Sequence, residues 1–287
     1  MGWRGVRLSL CLALLAVSGC SRTPKGPEPA AVVPAGVLLR DVNFRSAALG
    51  REVTYRLMAP AAFKPGEPVR VVYLLHGNGQ GYREWSLYSG AAEWARQGFV
   101  LVMPEGHSSY FMNAATPASD RYEDFVTKDL PADAERGLGP VARDHRAIAG
   151  VSMGGFAALV LGMKHPEEYG FVGALSPPVD APERGFRLQR WGQYWGLRRI
   201  FGPMGSDSRR TDDPFNIVRG VDAARMPFVY LGVGKAEPLR EPVERFDRAL
   251  TKAGVRHEFE ERPGAHDWSE WGLQFPRLFA AMKAHLR

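Results

Sequence analysis

The chain has 287 residues, a formal net charge of +6 and only two cysteines, Cys11 and Cys20. Two cysteines so near the start exclude a disulfide-built fold and a cysteine-rich zinc site, and so modest a positive balance marks no nucleic-acid binder. The roughly 250 residues beyond the N-terminal segment suffice for one large domain held by its core, because a chain of that size buries about 70–75% of its unfolded surface.

At the N-terminus, Arg4 and Arg7 precede an apolar stretch, 8–17, with no acidic residue among them. Residues 1–19 therefore read as a signal peptide whose apolar part is too short to span a bilayer as a mature helix. Val17-Ser18-Gly19-Cys20 resembles the bacterial lipobox. The resemblance implies a lipidated Cys20 that holds the protein at a membrane without spanning it. Ser21, where an aspartate would signal inner-membrane retention, implies an outer-membrane anchor facing the periplasm; a plain secretory signal cut nearby is the alternative. Residues 20–35, rich in proline and small side chains, read as a tether, and residues 36–287 as a catalytic domain.

Residues 37–44 and 53–58 are expected to pair as an antiparallel edge ribbon, 53–58 showing the alternation of a half-buried strand. The runs 69–75, 99–103, 146–151, 171–175 and 228–233 are short and apolar throughout, as fully buried strands are. Residues 255–261 alternate again and predict a later, more exposed strand. Helical patterns fall at 91–97, 122–136, 155–165, 242–253 and 269–285. Strand and helix in alternation predict an α/β fold with a mostly parallel sheet covered on both faces. Residues 177–213 break the rhythm and predict a partly helical, cap-like excursion over the carboxyl end of the sheet, where ligands bind in open α/β folds. Between 181 and 210 lie seven arginines against only Glu183 and Asp207.

The chemistry is carried first by Gly150-Val151-Ser152-Met153-Gly154. A G-x-S-x-G between a strand and a helix is a nucleophile elbow, in which glycines permit a tight turn and the serine oxygen stands clear of the sheet. A serine needs a base, and the base needs a carboxylate to fix its tautomer. In chain order serine, acid, histidine, His266 fits best of the seven histidines, on a loop after the last strand and before the last helix. Glu237, just past the strand 228–233, is the chosen acid, with Glu241 and Asp267 as lesser alternatives. Backbone N–H groups must receive the charge on the substrate oxygen. Met153 supplies one, and the glycine-rich loop after strand 69–75 is the expected source of the other. Trp191, Tyr194, Trp195, Trp268 and Trp271 either wall an acyl pocket or belong to the core.

These stretches, with Val102-Met103-Pro104-Glu105-Gly106, Asp213-Pro214-Phe215 and His266-Asp267-Trp268, run in the order of one family. The chain resembles the α/β-hydrolase esterases that include tributyrin-type esterases, esterase D (S-formylglutathione hydrolase), feruloyl esterase modules and mycolyltransferases. The resemblance implies an α/β-hydrolase fold with Ser152 as nucleophile, His266 as base, and Glu237 where the family usually has aspartate. It also implies Asn78 N–H as the second oxyanion donor and Ser109 and Tyr110 near the substrate. No metal or organic cofactor is implied. The expected activity is hydrolysis of a small-molecule, lipid or sugar ester through an acyl-enzyme. An acyltransferase of the same fold and a non-catalytic envelope-binding lipoprotein are the competing readings.

Overall fold

The computed structural model describes residues 29–63 and 68–287. The expected signal peptide, Cys20 and the first part of the tether lie outside the described residues. Residues 29–34 lack regular structure and lead into the first strand. No helix among the described residues is long and apolar enough to cross a membrane.

The strands are β1 (Val37–Ser46), β2 (Arg51–Pro60), β3 (Arg70–Leu75), β4 (Phe99–Pro104), β5 (Arg146–Val151), β6 (Phe171–Leu175), β7 (Phe228–Gly234) and β8 (His257–Arg262). They form one sheet in the order β1-β2-β4-β3-β5-β6-β7-β8. The β1–β2 and β2–β4 pairs are antiparallel and all the others parallel. The expected edge ribbon is present, with Phe44 opposite Val53 and Leu38 opposite Ala59.

The helices are α1 (Glu84–Tyr88), α2 (Ala91–Arg96), α3 (Tyr122–Asp124), α4 (Leu130–Ala134), α5 (Met153–Lys164), α6 (Trp191–Phe201), α7 (Asp207–Thr211), α8 (Pro214–Gly220), α9 (Arg240–Ala253) and α10 (Trp268–His285). A wide π turn, Phe125–Asp129, joins α3 to α4, so the helix expected over 122–136 is one interrupted rod. Helix α5 begins at Met153 rather than 155, because the elbow turns directly into it. Helices α1 and α8 were not expected from the pattern.

Alternate residues of each central strand feed opposite cores, as the two-residue period of a strand requires. Tyr73, Ile148, Val172 and Leu231 join Phe156 of α5 and Phe246 of α9 on one face. Leu74, Ala149, Leu175 and Tyr230 join Trp85, Trp94, Trp271 and Leu278 on the other. Both faces are covered, so the interior strands carry no polar alternation, and that is why their apolar runs were readable. The consequence for function is that β3 to β8 all point their carboxyl ends to one rim.

Candidate active site

At that rim the chain leaves β5 through Ser152, whose φ of 53° and ψ of −119° lie in a region few non-glycine residues adopt. Two contacts show why the flanking glycines are needed. A Cβ on Gly150 would sit 2.2 Å from the backbone carbon of Gly154, and a Cβ on Gly154 would sit 2.2 Å from Leu75 O. Ser152 N–H donates to Leu175 O at 2.8 Å, and its carbonyl accepts the Phe156 N–H at 3.0 Å, which starts the helix.

His266 stands on the loop between β8 and α10. Its Nε2 lies 2.8 Å from Ser152 Oγ and its Nδ1 lies 2.7 Å from Glu237 Oε2. Glu237, on the loop after β7, has a fully buried side chain. Its other oxygen, Oε1, accepts the Ser176 hydroxyl at 2.6 Å and the Gly234 N–H at 2.8 Å. Ser176 Oγ in turn accepts the Trp271 Nε1–H at 3.0 Å, and the Trp271 ring stands edge-on to the His266 ring. The loops bearing acid and imidazole are stitched together by Lys235 N–H to Arg262 O and Ala236 N–H to Gly264 O.

The alternative carboxylates are placed otherwise. Asp267 caps α10, accepting the Ser269 and Glu270 N–H groups. The Ser269 hydroxyl bonded to it holds its carboxyl below the usual range, against the opposing effect of burial. Glu241 lies in the first turn of α9.

Leu75 O and His76 O pack against Gly154, so the loop carrying Asn78 abuts the elbow. That loop is held from several sides. Gly77 N–H donates to Gln80 Oε1 at 2.8 Å and Gly81 N–H to Glu84 Oε2 at 2.8 Å. The buried His76 accepts the Gly106 N–H at Nε2, which leaves Nδ1–H to donate to Gly77 O. Asn78 is half-buried, and Met153 is the first residue of α5.

Ser109 is buried and its Oγ accepts the Phe111 N–H. Tyr110 donates its N–H to Met153 Sδ at 3.3 Å, and its ring wedges between Phe156 and Phe201. Burial pushes its phenol pKa up. Trp268 is buried beside Trp85, Tyr88 and Trp271. Trp191 and Trp195 are instead exposed, on the cap. Sequence reasoning missed Ser176 and the Trp271–Ser176–Glu237 chain. A polar residue directly after an apolar strand was the one available signal.

Among the described residues, five that are not glycine have positive φ: His107, Tyr110, Phe111, Ser152 and Ser176. All follow the carboxyl ends of β4, β5 and β6. No group of three or more histidine, cysteine, aspartate or glutamate side chains among the described residues could hold a metal ion.

Fold and site together define an α/β-hydrolase: a mostly parallel eight-stranded sheet with a hydroxyl, an imidazole and a carboxylate in hydrogen-bonded line at its carboxyl rim. Residues 46–282 match the family described as "Putative esterase". The chain belongs to that family and is a carboxylic ester hydrolase. It is 28% identical over 273 residues to the diacylglycerol acyltransferase/mycolyltransferase Ag85A of Mycobacterium gordonae, covering 83% of this chain and 78% of that one. It is 24% identical over 263 residues to an acetyl esterase of Caldicellulosiruptor saccharolyticus, covering 85% and 97%. The solved structure of an S-formylglutathione hydrolase from Agrobacterium tumefaciens superimposes with a TM-score of 0.75 at 21% identity, over 90% of this chain and 99% of that one.

Proposed function

We propose that the protein is a serine esterase working through a Ser152–His266–Glu237 triad. The observation that carries this reading is the unbroken line from Glu237 Oε2 through His266 to Ser152 Oγ, with the serine raised on a strained elbow. Ser152 Oγ attacks the acyl carbonyl while His266 Nε2 takes its proton, and the buried Glu237 carboxylate stabilises the imidazolium. The carbonyl oxygen, now negative, is received by the N–H groups of Met153 and Asn78. His266 returns the proton to the departing alcohol. Water then attacks the acyl-Ser152 ester by the same steps in reverse roles, releasing the acid.

The mycobacterial relative's name supports a second reading in which an alcohol replaces water as acceptor. Residues 36–287 make up the catalytic domain in this proposal. Residues 1–19 direct export and Cys20 anchors the protein in the cell envelope, facing the periplasm, with no cofactor required.

The test is hydrolysis of p-nitrophenyl acetate, butyrate and octanoate, alongside labelling by a fluorophosphonate probe, with wild type and Ser152→Ala. Turnover and labelling that both vanish in the variant are expected. Labelling or turnover that survives Ser152→Ala overturns the triad. Adding an alcohol acceptor and identifying the products separates transfer from hydrolysis. Labelling with radioactive palmitate, lost in Cys20→Ser, tests the anchor.

A further inference from the structure

The cap leaves the sheet after Ser176 and holds a surface that the chemistry above does not use. Five of the ten strongly exposed large hydrophobic side chains among the described residues lie between 186 and 204: Phe186, Leu188, Trp191, Trp195 and Met204. Residues 184–206 contain five arginines and no acidic residue. Helix α6 sorts these residues by face. Leu197, Ile200 and Phe201 turn inward, where Phe201 packs against Tyr110 and Phe156. Trp191, Trp195, Arg198 and Arg199 fall on the opposite side at helical spacing and are exposed.

We propose that this outward face of α6, with the loop before it, docks the protein on an anionic lipid bilayer. Indole rings favour the boundary between headgroup and acyl chain, and arginine keeps its guanidinium at the phosphates while its stem lies on apolar surface. The Arg198 guanidinium already lies over the Trp195 ring, at 5.6 Å from the centroid, so charge and indole present together. Phe186 packs on Tyr194, which packs on Trp195, making the aromatic surface continuous. Arg187 and Arg190 have no carboxylate partner among the described residues.

Charge decides among occupants. A second copy meeting this face about a two-fold axis would set Arg187, Arg190 and Arg198 against arginines, while Asp120, which pairs with Arg199, is already shared with Arg51. A soluble polyanion would satisfy the arginines but has no use for the exposed Phe186 and Leu188, whereas acyl chains accommodate both. The inference goes beyond the proposed chemistry and depends on neither the triad nor Cys20.

The experiment uses residues 20–287, the chain without its signal segment, carrying Cys20→Ser, so that neither residues 1–19 nor acylation contributes to binding. It is mixed with vesicles of phosphatidylcholine alone, or of phosphatidylcholine with phosphatidylglycerol. Binding to the anionic vesicles is expected to fall on the order of a hundredfold in R187Q/R190Q/R198Q, from about one kcal/mol for each arginine near the surface. Brominated phospholipid is expected to quench the tryptophan emission, and W191F/W195F to abolish most of that quenching. The thermal unfolding midpoint of each variant is the control for folding. Equal vesicle binding by wild type and the arginine variant overturns the proposal. So does quenching that persists in W191F/W195F, which places the contact elsewhere. Binding to heparin without any quenching by lipid marks a polyanion surface and also overturns it.

Discussion

Replacing Glu237 by glutamine tests the proposed proton chemistry with almost no change of shape. The outcome follows from the donors around the carboxylate. Gly234 N–H points at Oε1, and a backbone N–H can only donate. The Ser176 hydroxyl, which already accepts from Trp271, points at the same oxygen. The amide oxygen of a glutamine must therefore occupy that place, and its NH2 must face His266 Nδ1. Nδ1 then accepts, so the ring proton moves to Nε2 and points at Ser152 Oγ. A serine facing an N–H has no base. The loss expected from this tautomer change is about 10⁴-fold in kcat, or roughly 5 kcal/mol in the barrier. KM for p-nitrophenyl butyrate and the thermal midpoint should change little, because the amide keeps its two donors from Gly234 and Ser176. Glu237→Asp is the companion: the side chain is one methylene shorter and cannot span from Gly234 N–H to His266, so it too loses activity. If E237Q retains activity within tenfold of wild type, Glu237 is not the group that orients His266.

Ser176→Ala removes one donor to the same carboxylate and leaves Trp271 Nε1 without its acceptor, while Ser152 and His266 stay in contact. We expect kcat to fall about tenfold, roughly 1.4 kcal/mol, with KM unchanged; a rise in KM alone would argue for a substrate-binding role instead. Gly154→Ala drives a Cβ into Leu75 O and His76 O, both backbone atoms that cannot swing aside. The expected result is a loss of about 3 kcal/mol or more, read as a collapse of soluble yield or thermal midpoint. Glu123 provides a pH test. Burial raises its pKa, but hydrogen bonds from His165 and Lys164 outweigh that and hold it below the usual 4.5. Its contribution to stability is therefore complete above pH 4.5 and lost as pH falls through the lower native value. Asp212, on the other side of Lys164, is raised by burial and acts in the opposite sense. The readout is consequently the difference between wild type and Glu123→Gln, which should shrink on acidification; a difference independent of pH refutes the assignment.

The elbow was legible because its signals are local: β5, Gly150, Ser152, Gly154 and α5 are contiguous, and each glycine's necessity follows from a turn within a few residues. His266 and Glu237 were legible because each lies on a loop at the carboxyl end of a strand. Ser176 was not, since its role depends on β6 lying beside β7 and on α10 bringing Trp271 across from 95 residues away. The tryptophans were equally opaque. Composition cannot tell that Trp268 and Trp271 fold into the core while Trp191 and Trp195 face outward, because that division is made by which side of α6 and α10 meets the sheet. The π turn at Phe125–Asp129 leaves no mark in a pattern whose apolar spacing suits an ordinary helix. Asp267 was weighed as an acid because of its sequence neighbour, and its actual work is to cap α10.

The five positive-φ residues around the rim also bear on how such a protein changes over generations. Each left-handed conformation costs of the order of 1–3 kcal/mol, against the ~0.5–1 kcal/mol that glycine loses through its freer unfolded chain. At Ser152 and Ser176 the side chain that imposes this cost is the one that touches the imidazole or the carboxylate. A descendant released from hydrolysing esters would find glycine at 152 an immediate route to greater heat tolerance, whereas at 176 the lost bonds to the buried Glu237 and Trp271 offset the relief. Heat tolerance and turnover are thus in opposition at the codon for Ser152, and a screen for thermal survival alone would be expected to disarm the protein there first.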